Sequence, residues 1–256
     1  MKITTWNVAG LRAFIRKNGW GWIRQHDPDV ICLQEIKANP DQITAEDQAL
    51  FAPYQTFWNP ADRKGYSGTL TFVKEISVQF KKGLGIDRFD HEGRTIQTEF
   101  DSFTLFNLYV PNGGRDHSRV PFKLDFYAAL LDLCDSMHAE GKNIIICGDI
   151  NTSHQEIDVN NPKSKSKITG FLPEERLWIT KFLEHGFLDV FRDLYPEKIQ
   201  YTYWSYINNQ RAKNNGWRLD YYLVSDSLLP MVSDVETYPD VLGSDHCPVS
   251  LILNTP

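Results

Sequence analysis

Asn143-Ile144-Ile145-Ile146-Cys147-Gly148-Asp149 is an unbroken apolar run closed by a glycine and a carboxylate. Val30-Ile31-Cys32-Leu33-Gln34-Glu35 repeats the theme in the first half of the chain. A short apolar run without polar alternation fits a strand covered on both faces. Two such strands ending in acids suggest two halves with similar strand ends. The C-terminal stretch Gly243-Ser244-Asp245-His246-Cys247-Pro248 adds a Gly-Ser turn, an acid and a histidine before the strand-like Val249 to Leu253.

Outward from these runs, Lys2 to Val8 reads as a strand with Asn7 at its end. Leu11 to Gln25 reads as one amphipathic stretch, and a short helix is expected over Ile43 to Leu50. Between Tyr54 and Val110 the chain breaks into short β-like runs, clearest at Ser67 to Val73, Arg94 to Phe100 and Phe103 to Val110. Phe122, Phe126, Leu130 and Leu133 share a face of a helix predicted over Val120 to Ala139. A second helix is expected over Glu174 to His185. Tyr201 to Tyr206 and Trp217 to Val224 read as strands, the latter with Asp220 inside it. Strands outnumber helices, so two sheets packed face to face and flanked by helices are expected. No linker of biased composition divides the 256 residues, which predicts one domain spanning 1–256.

Hydrophobic residues make up 41% of the chain, enough for a large core. The 27 Lys and Arg against 33 Asp and Glu, a net charge of −6, argue against coating nucleic acid through bulk charge, while leaving room for a local basic face. Cys32, Cys134, Cys147 and Cys247 form no CxxC pair and read as buried thiols of a reducing compartment. The N-terminus shows no secretory pattern, and no apolar run approaches the ~20 residues of a membrane span. A soluble protein without membrane contact is expected, cytoplasmic and nucleoid-associated, although a nuclear protein would look the same.

The chemistry gathers at the strand ends: Asn7, Glu35, Tyr109, Asp149, Asn151, Asp220, Asp245 and His246. Singly, each fits a plain role, such as a cap for Glu35 or Asp149, a turn former for Asn151, a core-edge hydroxyl for Tyr109, or an arginine partner for Asp220. Together they imply a cation or a shared proton, because clustered carboxylates are costly to bury unpartnered. Oxygen donors with one imidazole suit Mg²⁺ or Mn²⁺. Asp149 with Asn151 would orient and deprotonate a water attacking a phosphodiester. His246, its other nitrogen fixed by an acid such as Asp220, would donate to a phosphoryl oxygen.

WNVAGLRA (6–13), LQEIK (33–37), GYSG (65–68), EGR (92–94), YVPNGGR (109–115), GDIN (148–151), GFLPEER (170–176), GWRLDYYLVS (216–225) and LGSDHCP (242–248) resemble, in order and across the chain, the motifs of exonuclease III-type AP endonucleases. These belong to the endonuclease/exonuclease/phosphatase superfamily that includes deoxyribonuclease I. The resemblance implies a four-layer α/β sandwich of two mixed sheets flanked by helices. It also implies a monomer that incises double-stranded DNA 5′ to abasic sites with Mg²⁺, for which Mn²⁺ substitutes, and clears blocked 3′ ends by exonuclease and phosphatase chemistry.

Carried over by motif, Glu35 is the principal metal ligand with Asn7, and Asp149, Asn151, Asp245 and His246 complete the widest metal set. Asp149 and Asn151 also act on the water, His246 with Asp220 on the phosphoryl charge, and Tyr109 on the scissile phosphate or leaving group. Lys37, Tyr66, Arg115, Lys163, Lys165 and Lys167 would hold the DNA backbone. Tyr203, Trp217 and Leu219 would line a pocket too small for a base, which admits an extruded abasic sugar.

Two departures stand out. Ala9 replaces the Asn or Asp usual in relatives, and Lys165 and Ile168 stand where some relatives carry asparagines that touch phosphate. Weaker metal binding or a shifted balance of activities is expected. The rival readings are a phosphoesterase acting on RNA or a phospholipid headgroup, and a catalytically inactive DNA-binding module. The Trp217-Arg218-Leu219-Asp220 run and the basic loop before it favour DNA. Binding alone needs phosphate-contacting cations rather than a carboxylate cluster.

Overall fold

The computed structural model describes residues 1–74 and 78–254. Among the described residues, twelve strands form two six-stranded sheets. The first holds β1 (Lys2–Asn7), β2 (Val30–Gln34), β3 (Gln55–Asn59), β4 (Thr69–Val73), β11 (Val232–Thr237) and β12 (Val249–Leu253), in the order β11-β12-β1-β2-β4-β3. The second holds β5 (Gln79–Lys82), β6 (Thr95–Glu99), β7 (Thr104–Tyr109), β8 (Ile144–Asp149), β9 (Phe187–Asp189) and β10 (Asp220–Ser225), in the order β5-β6-β7-β8-β10-β9. Each sheet is mixed: β1–β2 and β7–β8 are parallel, and the other neighbours are antiparallel.

The helices are α1 (Leu11–Arg16), α2 (Gly19–His26), α3 (Ala45–Ala49), α4 (Asp87–Asp90), α5 (Val120–Ala139), α6 (Pro162–Lys165), α7 (Pro173–Glu184) and α8 (Val190–Leu194), with short 3₁₀ turns between. Among the described residues no helix is long and apolar enough to cross a membrane.

The two deciding runs are apolar throughout because each strand faces a core on both sides. In β2, Val30 and Cys32 enter the core between the sheets, while Ile31 and Leu33 face Leu11, Phe14, Trp20 and Ile23 of α1 and α2. In β8, Ile145 and Cys147 enter the same inter-sheet core, and Ile144 and Ile146 face Phe126, Tyr127 and Leu130 of α5. Ile179 and Phe182 of α7 extend that outer layer. The result is helix, sheet, sheet, helix: the four layers expected.

Several local expectations are corrected. Leu11 to Gln25 is two helices, broken at Asn18, which takes a left-handed conformation. Tyr201 to Tyr206 is not a strand; Tyr203 only bridges Trp217 and His246. Asp220 opens β10 rather than lying inside it.

Near one end of the sandwich the inter-sheet core turns polar. The Gln34 amide donates to Thr5 and Asn107, and the Asn107 amide donates to Thr71. Beyond this layer both sheets end, and there the polar strand-end residues meet.

Candidate active site

Strand register brings the residues together. Parallel pairing sets Asn7 of β1 beside Gln34 of β2, so Glu35 follows immediately at the same edge. In the other sheet Tyr109 pairs with Asp149, and Asp149 with Asp220 across the antiparallel β10. Gly148 before Asp149 sits at φ 129°, and a Cβ there would lie 2.0 Å from the Leu108 carbonyl oxygen. Only glycine fits that approach. Glu35 and Asn151 both adopt left-handed backbone, at φ 55° and 54°; asparagine tolerates it, and for Glu35 it is strain held by the surroundings.

His246 arrives from the turn before β12. Ser244 Oγ donates to the Asn7 carbonyl at 2.6 Å, and the Trp6 indole donates to the His246 carbonyl at 3.1 Å. These bonds seat the imidazole over the strand ends.

Asn7 joins the two sheets: its Nδ2 donates to Asp149 Oδ2 at 2.9 Å and to Glu35 Oε2 at 3.1 Å. Asp149 Oδ1 accepts the Asn151 N–H at 2.9 Å. The Asn151 amide donates to the Val110 carbonyl at 2.8 Å, and its oxygen accepts from Asn112 at 3.1 Å. His246 Nδ1 lies 2.8 Å from Asp220 Oδ2, and Nε2 lies 3.6 Å from Asp149 Oδ2.

The electrostatics follow from this burial. Desolvation pushes the Asp149 carboxyl up to about 7, with Asp220 adding to the rise and His246 opposing it. Desolvation alone would depress His246, but the Asp220 and Asp149 carboxylates override it and raise the imidazole to about 10. Burial, with Glu35, holds the Tyr109 phenol well above its ordinary range, opposed by Arg94, whose guanidinium stacks 4.8 Å from the ring centre.

One open cavity of about 610 Å³ collects Glu35, Tyr109, Arg115, Asp149, Asn151, Lys167, Tyr203, Trp217, Leu219, Asp245 and His246. Asn7 and Asp220 lie just beneath, both buried. The remaining expected positions fall outside the lining. Lys37 is ion-paired to Glu35 at 2.5 Å. Tyr66 accepts from Arg94 and donates to Glu92. Lys165 lies 5.0 Å over the Trp217 ring and lines a second hollow, and Lys163 lines neither.

Of the basic run before β10, two arginines are engaged within the protein and Lys213 is exposed. Arg218 is 1% exposed and paired with Asp158 and Asp189. Arg211 donates to the Pro239, Val241 and Ser244 carbonyls. Sequence reasoning missed Asn112 and His117, which also line the cavity, and Arg94 beneath Tyr109.

The donor set fits a hard divalent cation. Glu35, Asp149 and Asp245 offer carboxylate oxygens, the Lys37 ammonium already draws in to Glu35, and the buried Asp220 Oδ1 has no hydrogen-bond partner. Asp149, Asp220 and His246 also place one ligand atom each within 4.8 Å of one another. Within that trio Asp220 holds Nδ1 of His246 at 2.8 Å, which leaves Nε2 turned toward Asp149.

Residues 4–246 match the model of the Endonuclease/Exonuclease/phosphatase family. The chain belongs to that family. It is 44% identical to the DNA repair nuclease APEX1 of Danio rerio, over 99% of this chain and 82% of that protein. It is 42% identical to an exodeoxyribonuclease of Bacillus subtilis, over 99% and 100%. The AP endonuclease of Leishmania major superposes with a TM-score of 0.90 at 32% identity, covering 100% of this chain and 88% of that one.

Proposed function

We propose that this chain is a divalent-metal-dependent nuclease that incises double-stranded DNA on the 5′ side of abasic sites and trims or dephosphorylates blocked 3′ ends at the same centre. The observation that carries it is that Asp149 and His246, 3.6 Å apart, line one cavity together with Tyr203, Trp217 and Leu219. The relatives are nucleases of DNA repair and exodeoxyribonuclease type, which supports the same reading.

Asp149 near neutrality accepts a proton from a water held by the Asn151 amide. His246, fixed by Asp220 and held protonated, directs a cationic N–H at the phosphoryl oxygen on which charge grows. Tyr109, its acidity suppressed, remains a neutral donor to the phosphate or the leaving oxygen. Glu35, with Asp149 and Asp245 nearby, would hold Mg²⁺, for which Mn²⁺ substitutes, and the ion supplies charge neutralisation at the phosphoryl group. Asn7 braces Glu35 and Asp149 through its amide nitrogen, and its Oδ1, which accepts the Ala9 N–H, is the atom that would assist Glu35 at the ion.

Arg115 and Lys167 at the cavity rim, with Lys37, Lys163 and Lys165 further out, would meet the backbone phosphates. An abasic residue enters a pocket closed by two aromatic rings and a leucine more easily than an intact nucleotide, having no base to unstack or to accommodate.

The test is a duplex carrying one abasic analogue, with Mg²⁺ or EDTA, for wild type and Asp149→Ala. Incision by wild type with metal, reduced about a thousandfold in the variant, is expected. Binding without cleavage would instead identify an inactive DNA-binding module. Equal cleavage of RNA or intact DNA would remove the abasic specificity.

A further inference from the structure

Behind the cavity lies a lysine–glutamate pair with no exposure at either side chain: Lys123 of α5 and Glu175 of α7, Nζ to Oε1 2.7 Å. Lys123 also donates to the Asn151 carbonyl at 2.7 Å. One turn on, the Tyr127 hydroxyl donates to the Ile150 carbonyl at 2.6 Å and pairs with Thr152 Oγ1 at 3.0 Å. Two positions one turn apart on one helix therefore hold consecutive carbonyls of the turn that carries Asp149 and Asn151.

Glu175 reaches the other way. Its Oε1 accepts from Thr169 Oγ1 at 2.7 Å, and its Oε2 accepts the Gly170 and Leu172 N–H groups at 2.5 and 3.0 Å. Thr169 and Gly170 form the cavity wall next to Lys167, and Ser153 N–H donates to the Gly170 carbonyl.

A wholly buried ion pair is a weak source of stability, since well-packed apolar replacements are often neutral or stabilising. Position is what this pair supplies. Asn151 sits at φ 54°, in the left-handed region that asparagine adopts more readily than other side-chain-bearing residues, and Lys123 holds its carbonyl there. We infer that Lys123 and Glu175, with Tyr127, are positioning residues: a buried strut that fixes the Asp149–Asn151 turn against the 167–170 wall. This rests on the nuclease reading above, in which that turn handles the attacking water.

Three variants test the strut, each measured for abasic-duplex incision rate, KM for the duplex, and Tm: Lys123→Met, Lys123→Met/Glu175→Gln, and Tyr127→Phe. Lys123→Met leaves Glu175 buried without its cation, so a large fall in Tm is expected. The double variant removes both charges and should recover most of that Tm. Its incision rate should nonetheless stay at least tenfold below wild type per folded molecule, with KM changed less than threefold.

Tyr127→Phe keeps the ring and loses only the hydroxyl, so it serves where the charge variants fail to fold. It should lower the rate about threefold at unchanged KM. A double variant that recovers rate together with Tm overturns the inference and leaves the pair a packing element. Tyr127→Phe at the wild-type rate overturns it equally where the other variants do not fold. Absence of incision by wild type would instead count against the nuclease reading, which keeps the two failures apart.

Discussion

His246 Nδ1 stands 2.8 Å from Asp220 Oδ2, both side chains buried, so the imidazole is oriented and charged by an acid that does not line the cavity. The second nitrogen is left facing Asp149. An imidazole so held offers a fixed cationic donor, and its orientation depends on one carboxylate oxygen.

Asp220→Asn should therefore lower incision by on the order of a hundredfold, the usual effect of losing one preorganised donor. In EDTA, the His246 titration followed by NMR should fall from about 10 toward 6.5. The linkage has a definite sign. A histidine raised on folding stabilises the protein fully below its unfolded value and loses that contribution as pH rises through its folded one. Metal-free wild type should thus lose stability between about pH 7 and 10, whereas Asp220→Asn should lose much less. An unchanged His246 titration in the variant would sink this assignment.

Arg218 makes an opposite acid-side prediction. Burial pushes the Asp158 carboxyl up, but the Arg218 guanidinium, bonded to it at 2.8 and 3.0 Å, prevails and holds it at about 2. A carboxyl depressed on folding stabilises above its unfolded value. The corresponding ~2 kcal/mol is present above about pH 5 and lost as pH falls through 4 toward 2. Arg218→Met leaves Asp189 buried without its cation and Asp158 with Arg192 alone, and should cost about 3 kcal/mol at pH 7 by urea unfolding. A variant within 1 kcal/mol of wild type, on the order of experimental error in such extrapolations, would refute the buried-pair account.

Metal binding should respond in two directions around Glu35. Glu35→Gln removes a carboxylate donor and should weaken Mg²⁺ binding on the order of tenfold to a hundredfold. Lys37→Met removes the ammonium paired with Glu35 at 2.5 Å and should tighten it, by no more than about fivefold because the pair is partly exposed. Calorimetric titration with Mg²⁺ alone reads both. The same sign for both variants would show that Glu35 is not where the ion sits.

What the sequence revealed, and what it hid, divides along physical lines. Strands covered on both faces, such as Ile144–Asp149, announce themselves because nothing polar is tolerated in them. α5 was legible from Val120 to Ala139 because its apolar residues recur at the helical period. Edge strands carry no such mark: β5 is exposed along its length and reads as loop. The break at Asn18 depends on one backbone conformation that composition does not encode.

At the site, polar residues closing apolar runs were visible, whereas the direction of each cation was not. Arg218 and Lys165 look alike in sequence, yet one is buried under two aspartates and the other lies over Trp217. Lys123 did leave a trace. It occupies the buried stripe of α5 with Val120, Tyr127, Leu130, Cys134 and Met137, where a lysine is out of place unless paired.

Ala9 supplies a test in which two explanations separate. It stands at φ 49°, where alanine is strained and asparagine is better tolerated, and its N–H donates to Asn7 Oδ1 at 3.0 Å. Ala9→Asn relieves that strain and should raise stability by roughly 0.5–1 kcal/mol. It also places a second amide beside the one that braces Glu35 and Asp149, so the Mg²⁺ midpoint for incision should move to lower concentration. The two effects are separable because stability is read in EDTA and the midpoint under turnover. A Tm gain with an unchanged Mg²⁺ curve would show that position 9 acts through the backbone alone, and that the missing polar side chain does not weaken this metal site.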